Sequence, residues 1–394
     1  MSAELKQNSS LSAEQRARLK ALMRGASGGA KQQVIPPRED SAAPAPLSPA
    51  QRRLWILSSL DPANTAYNLA SLFRLTGKLD EDALQAAVSA MEQRHEMLRT
   101  VFSENEEGEP RQQILPRAGK VLYTRDLRAS LEEDSMSREE RIRQVVLEEA
   151  NVAFDLRNGP LWRISLIRVA DDNALLLINV HHIAFDGWSL GVFVREFFGY
   201  YGEAKRKGGP RVTPLPVQYA DYSIWNNRRI EAGLGAEQKR FWCDYLEGIP
   251  ALLDLPRDRA RPEQSSGAGS IRQLIMSYEK FQRLCELGRQ EGATPFNVFM
   301  SLFTLLLYRY TGQTDIVLGS PVSGREVEES QALIGVLANT LPIRTQLQAD
   351  STFREVLRQA RASALDAFAH ADLSFDAIVE AVRPERVAGA NPVF

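Results

Sequence analysis

Two apolar runs, Leu161 to Val169 and Ala174 to Val180, flank the turn-forming Asp171-Asp172-Asn173 and constrain this chain more than any other feature. Short runs of aliphatic residues bounded by acidic and amide residues predict a β-hairpin. The second run ends on His181-His182. An amphipathic segment from Leu190 to about Glu203 follows, carrying Val192, Phe193, Val194, Phe197 and Phe198, which predicts a helix. Both histidines therefore stand at a strand end, where a rigid scaffold can aim polar side chains into a cleft.

The chain has only four histidines, His95, His181, His182 and His370, so an adjacent pair calls for a reason. Neighbouring side chains leaving a strand point to opposite faces, and at most one of them faces a given cleft. That alternation argues against joint metal ligation, and His95 and His370 lack the spacing of a metal motif. Core packing of both rings is the bland alternative. A neutral imidazole can instead take a proton from an attacking amine or hydroxyl. Asp186, four residues after His182, can fix the loop by pairing with an arginine. Gly187 lets the chain turn where a side chain would block a substrate.

Composition limits the functional classes. With 44% hydrophobic and 25% charged residues over 394 positions, the chain reads as a globular protein with material for more than one core, and two lobes are expected. A formal net charge of -2 provides no basic field for nucleic acid or a membrane surface. The short Lys205-Arg206-Lys207 cluster neighbours Glu203 and reads as solvated surface. No apolar run suits a signal peptide or a bilayer span, so a cytoplasmic location is expected. Cys243 and Cys285 are too few for a disulfide framework and lack zinc spacing; both are expected to be reduced and packed.

Along the chain, residues 1–46 are expected to hold a short helix capped by Ser12, with Leu19, Leu22 and Met23 on one face, and then a flexible Gly- and Pro-rich linker from 26 to 46. The helix would serve docking or fray as a free terminus. An amino-terminal lobe is expected over 47–208, with a strand from Tyr67 to Leu75 and a helix from Asp80 to about Glu96 that buries Leu84, Ala87, Val88 and Met91. A carboxy-terminal lobe follows the Gly208-Gly209-Pro210 break, over 209–394. Its expected helices are Ala236 to Glu247, Tyr278 to Glu291, Thr294 to Thr311, Thr352 to His370 and Ser374 to Val382, with a strand at Asp315 to Gly319.

The run His181-His182-Ile183-Ala184-Phe185-Asp186-Gly187 matches the HHxxxDG signature of the chloramphenicol acetyltransferase-like superfamily. With Trp188-Ser189 it resembles the condensation domain of nonribosomal peptide synthetases in particular. Further segments resemble the other motifs of that family in order: Leu47 to Trp55, Arg94 to Phe102, Tyr219 to Trp225, Ile334 to Pro342, His370 to Phe375, and Asn391-Pro392. The resemblance runs from Leu47 to the last residue. Where the family usually has an aromatic residue and valine before Asn339-Thr340, this chain has Leu337 and Ala338.

This resemblance implies an α/β fold, an α+β sandwich of two chloramphenicol acetyltransferase-like lobes in a V, with the reaction centre in a tunnel between them. It implies that two carrier proteins present donor and acceptor thioesters on 4′-phosphopantetheine arms, that the chain itself binds no cofactor or metal, and that an adenylation domain lies downstream. His182 is then the catalytic histidine and His181 is turned away. Asp186 pairs with an arginine, Arg325 as first candidate and Arg94 as second. The Gly187 N–H is a candidate oxyanion donor, Asn339 a candidate contact to the substrate arms, and Trp188 and Ser189 tunnel residues.

The resemblance favours amide formation with an L-configured or simple acyl donor, because the paired aspartates of heterocyclisation domains are absent. The alternatives are a lipo-initiating starter domain fed by acyl-CoA, a free-standing acyltransferase, and a non-catalytic carrier-binding module. With Met1 close to the domain, the donor is expected from another polypeptide or as a soluble thioester. The family normally continues beyond the position of Phe394, so a truncated second lobe with an open sheet edge and reduced stability is expected.

Overall fold

The computed structural model describes residues 34–129, 137–206, 209–259, 269–387 and 390–394. The helix expected after Ser12 lies outside the described residues, as do Lys207 of the basic cluster and Gly208 of the expected break. In chain order the elements are β1 (Ala45–Pro46), α1 (Pro49–Leu60), β2 (Asn68–Thr76), α2 (Glu81–Arg94), β3 (Thr100–Glu104), β4 (Pro110–Ile114), β5 (Leu122–Asp126), α3 (Arg138–Ala150), β6 (Trp162–Ala170) and β7 (Asn173–His181). They continue with a 3-10 turn at His182–Ala184, then α4 (Gly187–Ala204), α5 (Tyr219–Arg229), α6 (Gly235–Tyr245), α7 (Tyr278–Gln290) and α8 (Pro295–Thr311). The last elements are β8 (Asp315–Val322), β9 (Asn339–Gln346), α9 (Phe353–Ala369) and α10 (Phe375–Val382).

The expected hairpin is β6–β7, antiparallel from Trp162 opposite Val180 to Ala170 opposite Asn173. It forms the middle of a four-stranded sheet of order β2-β7-β6-β5, in which only β5 and β6 run parallel. Strand alternation sends Ile164, Leu166, Leu176, Ile178 and Val180 into the main core. Ile167, Val169 and Leu175 face the other way, against Val145, Ile142 and Val146 of α3. Both faces of the hairpin are thus covered, which is why β7 reads as an almost continuous apolar run rather than an alternating one.

Two principal cores form. The larger joins the first half of the chain to Val217, Tyr219 and the segment Leu333, Ile334, Val336 and Leu337. The smaller is built on Trp242, Leu341, Ile343, Ala360, Ala364, Phe375 and Ile378. A boundary at 208 therefore does not separate the cores: α5 and the 333–337 segment come later in sequence but pack with the earlier half. Between them, Gly324 at φ +64° and Gly335 permit close approaches. A Cβ on Gly324 would stand 2.1 Å from the Leu337 carbonyl oxygen, and one on Gly335 would stand 1.9 Å from the Tyr219 ring.

The described part of the expected linker is anchored. Ile35 is buried, and β1 pairs with β4. Arg38 forms ion pairs with Glu96 at 2.6 Å and Asp221 at 2.8 Å, all three side chains being largely buried. Prolines suppress regular structure here without preventing side-chain anchorage. Among the described residues no helix is long and apolar enough to cross a membrane.

Candidate active site

The site is assembled at the end of β7, where the strand passes directly into a 3-10 turn and then α4. Helix α4 begins at Gly187, three residues before the apolar periodicity starts, because Asp186 caps it by accepting the Ser189 N–H at 2.8 Å. A side-chain acceptor at this position satisfies one of the free N–H groups of the first turn, which periodicity does not report.

The two histidines occupy different environments. His181 is buried, its ring lying edge-on to Phe154 with centroids 6.2 Å apart. Its Nδ1 accepts the Ile183 N–H at 3.1 Å, so the ring proton of the neutral form belongs on Nε2. Burial, followed by the neighbouring His182, pushes the His181 pKa down to about 4. His182 is half-buried. Its backbone N–H donates to the Tyr67 carbonyl at 2.8 Å, and its Nδ1 lies 2.7 Å from the Phe185 carbonyl oxygen. A carbonyl only accepts, so Nδ1 carries the proton and the Nε2 lone pair is left available. Among the described residues no hydrogen bond engages Nε2. Adjacent rings are thereby held in opposite tautomers.

Asp186 and Arg325 form a buried ion pair, with Nη2 at 3.1 and 3.2 Å from the two carboxylate oxygens and both side chains almost fully excluded from solvent. Oδ1 also accepts from the Ser189 N–H and hydroxyl, and Oδ2 from the N–H groups of Leu337 at 3.0 Å and Ala338 at 3.2 Å. The second Arg325 terminal nitrogen donates to the carbonyls of Ser330 and Leu333, both at 2.7 Å. The backbone donors at 337 and 338 are not legible from residue type. The signal that brings them close is Gly324, immediately before Arg325, where a backbone carbonyl of the 337 segment leaves no room for a side chain.

Several expected roles are corrected. Arg94 does not reach Asp186: its Nε pairs with Glu196 at 2.9 Å, beside His95, whose Nε2 lies 2.8 Å from the same carboxylate oxygen. Ser189 is fully buried, and its hydroxyl is held among Asp186, Gly335 and Arg325, so it lines no open passage. Asn339 is committed internally. Its Nδ2 donates to the carbonyls of Ala371 and Leu373, and its Oδ1 accepts from the N–H groups of Thr340 and Phe375. All these partners lie in the protein, which leaves little capacity for a substrate arm. Gly187 is the first residue of α4 and has no left-handed φ, so the turn does not require glycine; a Cβ there would meet open space. Trp188 is 47% exposed and donates from Nε1 to the Gln331 carbonyl at 3.0 Å. Its ring lies 5.9 Å from the Arg325 guanidinium.

The structure thus brings together His182, the exposed N-terminus of α4 at Gly187, and a buried clamp beneath them. A half-buried base with a free lone pair next to unsatisfied helix N–H groups can move a proton while stabilising developing negative charge.

Removing one partner of the clamp leaves a buried uncompensated charge. Asp186→Asn is expected to lower unfolding free energy by about 3–5 kcal/mol, read by urea denaturation; a change within error contradicts the clamp. His181 generates a pH dependence. Its unfolded ring protonates near the ordinary value of about 6.5 and the folded ring only near about 4. Stability therefore falls as pH drops between those values, by about 3 kcal/mol in total from this group. His181→Asn, which keeps an acceptor for Ile183, should flatten part of that slope; His95, also held low by burial, adds to it in the same direction. An unaltered slope contradicts a buried neutral His181.

Comparison with known proteins agrees with the family resemblance. The Condensation domain family model matches residues 41–394. A linear gramicidin synthase polypeptide from Brevibacillus parabrevis is 41% identical over 349 residues, covering 89% of this chain and 7% of that protein. Phosphinothricin tripeptide synthetase PhsC of Streptomyces viridochromogenes is 36% identical over 384 residues, covering 98% of this chain and 35% of that protein. The chain thus spans well under two thirds of these relatives. The crystal structure of the X-domain from teicoplanin biosynthesis superposes with a TM-score of 0.81 at 29% identity, covering 92% of this chain and 78% of that one. The first condensation domain of the calcium-dependent antibiotic synthetase, at 21% identity, shares the fold with a TM-score of 0.73 over 87% of this chain and 78% of that one. The family match over residues 41–394 and the relatives agree: this chain belongs to the condensation-domain family.

Proposed function

We propose that this chain forms an amide bond between a carrier-bound acyl or peptidyl thioester and a carrier-bound aminoacyl acceptor, with His182 as the group that handles the proton. The observation that carries this reading is the His182 geometry: Nδ1 is tied to the Phe185 carbonyl and Nε2 is unengaged. The acceptor amine attacks the thioester carbonyl, giving a tetrahedral oxyanion. Nε2 takes the proton released from the attacking nitrogen. Collapse of the intermediate breaks the carbon–sulfur bond, and the same proton passes to the departing thiolate. The amide, a free thiol and a neutral imidazole result, so one histidine closes the cycle.

The other residues support this centre. The exposed N–H of Gly187 at the α4 N-terminus suits the oxyanion. Asp186 and Arg325 hold the turn that carries His182 and act by position rather than by acid–base exchange. Donor and acceptor arrive on 4′-phosphopantetheine arms of carrier domains, as befits a family whose curated relatives here are peptide synthetases. The two lobes of the family are assigned to the two principal cores.

Single-turnover transfer between two loaded carriers tests the role of His182. His182→Ala should slow amide formation by about a hundred- to ten-thousand-fold, with the melting profile unchanged. Equal rates remove His182 from the mechanism.

A further inference from the structure

A single file of buried donors crosses the larger core and ends on Asp186. Ser48, the N-cap of α1, and Tyr219, the first residue of α5, are both buried, and their hydroxyl oxygens lie 2.8 Å apart. The Tyr219 hydroxyl also lies 2.8 Å from the Val336 carbonyl oxygen. A carbonyl only accepts and a phenol has one proton, so Tyr219 donates to Val336 and Ser48 donates to Tyr219. Ser48 Oγ in turn accepts the Gln51 N–H at 3.2 Å. Burial pushes the Tyr219 phenol well above its ordinary range, which keeps the proton on the oxygen that donates.

The carbonyl of Val336 and the N–H of Leu337 belong to one planar peptide unit. That N–H donates to Asp186 Oδ2 at 3.0 Å. Every link from Gln51 to Asp186 thus runs in the same direction and terminates on a negative charge. Hydrogen bonds aligned in this way polarise one another. The Tyr219 ring lies against Gly335 of the same segment, where a Cβ would have no room. At the far end, Asp186 shares a peptide unit with the Phe185 carbonyl, the group that accepts from His182 Nδ1.

We propose that Tyr219 is a positioning residue: through the 336–337 peptide its hydroxyl strengthens and aims the donor that holds Asp186, and so sets the turn that bears His182. The kinetic consequence rests on the His182-dependent amide formation proposed above. The structural consequence rests on hydrogen-bond geometry alone.

Tyr219→Phe, made in the full chain, removes the hydroxyl and keeps the ring. With 15N-leucine labelling, the Leu337 amide proton, assigned by its loss in Leu337→Met, should move upfield in this variant as its bond to Asp186 weakens. For transfer between two loaded carriers, kcat should fall about tenfold, with KM changed less than about twofold. The control is Tyr245 of the smaller core, whose hydroxyl also makes two backbone bonds, to the Arg344 carbonyl at 3.3 Å and from the Arg344 N–H at 2.8 Å. Tyr245→Phe should lower the melting temperature to a similar degree and leave both kcat and the Leu337 resonance in place. Ser48→Ala breaks the preceding link with Tyr219 intact and should move Leu337 upfield by less, a readout that serves even where Tyr219→Phe does not fold. A Leu337 resonance unmoved in the folded variants overturns the relay. A kcat unchanged in a protein still dependent on His182, or reduced equally by Tyr245→Phe, overturns the positioning role. Turnover indifferent to His182→Ala removes the underlying reading instead and leaves the Leu337 shift as it is.

Discussion

The carboxylate of Asp186 is the constraint on which this structure depends. It sits in the interior, where an isolated charge is strongly unfavourable, and is stabilised by converging donors. One guanidinium nitrogen of Arg325, the Ser189 N–H and hydroxyl, and the N–H groups of Leu337 and Ala338 all point at its two oxygens. Those donors come from two regions of sequence far apart from each other. The same carboxylate starts α4 and ends the turn that bears His182. A single acidic side chain thereby caps a helix, ties a late segment of the chain to an early one and fixes the backbone beside the base.

The division of labour between the histidines follows from strand geometry. β7 ends at His181, whose ring continues the alternation into the buried side and meets Phe154 and Tyr67. His182 leaves on the other side. Two backbone groups, the Ile183 N–H and the Phe185 carbonyl, then assign opposite tautomers to the two rings. No charged partner is needed to orient His182, since a carbonyl that can only accept fixes the proton on Nδ1. This arrangement leaves a base whose Nε2 lone pair is set by the fold of a three-residue turn.

Much of the frame is legible in the sequence. The hairpin, α2, α8 and α9 follow from apolar periodicity and from the capping residues Asp80, Thr294 and Thr352. The Asp186–Arg325 pair is also anticipated, on the strength of the family resemblance. What does not show is partnership through the backbone and through distance. Arg94 suits Asp186 by charge, yet Glu196 lies within reach and takes it. Asn339 has an amide to offer, yet loop carbonyls and N–H groups of 371–375 consume it. Ser189 is expected in the tunnel on the family resemblance, whereas helical geometry turns it inward. Periodicity also misses Arg38, whose anchoring depends on Glu96 and Asp221, residues remote in sequence.

The central claim is that the His182 Nε2 lone pair is free, and imidazole nitrogen resonances report this directly. At a pH where the ring is neutral, long-range nitrogen–proton correlation on the folded chain should show His182 protonated on Nδ1 and His181 protonated on Nε2. A His182 ring carrying its proton on Nε2 would contradict the account, because that nitrogen would then have no lone pair with which to accept a proton from the attacking amine.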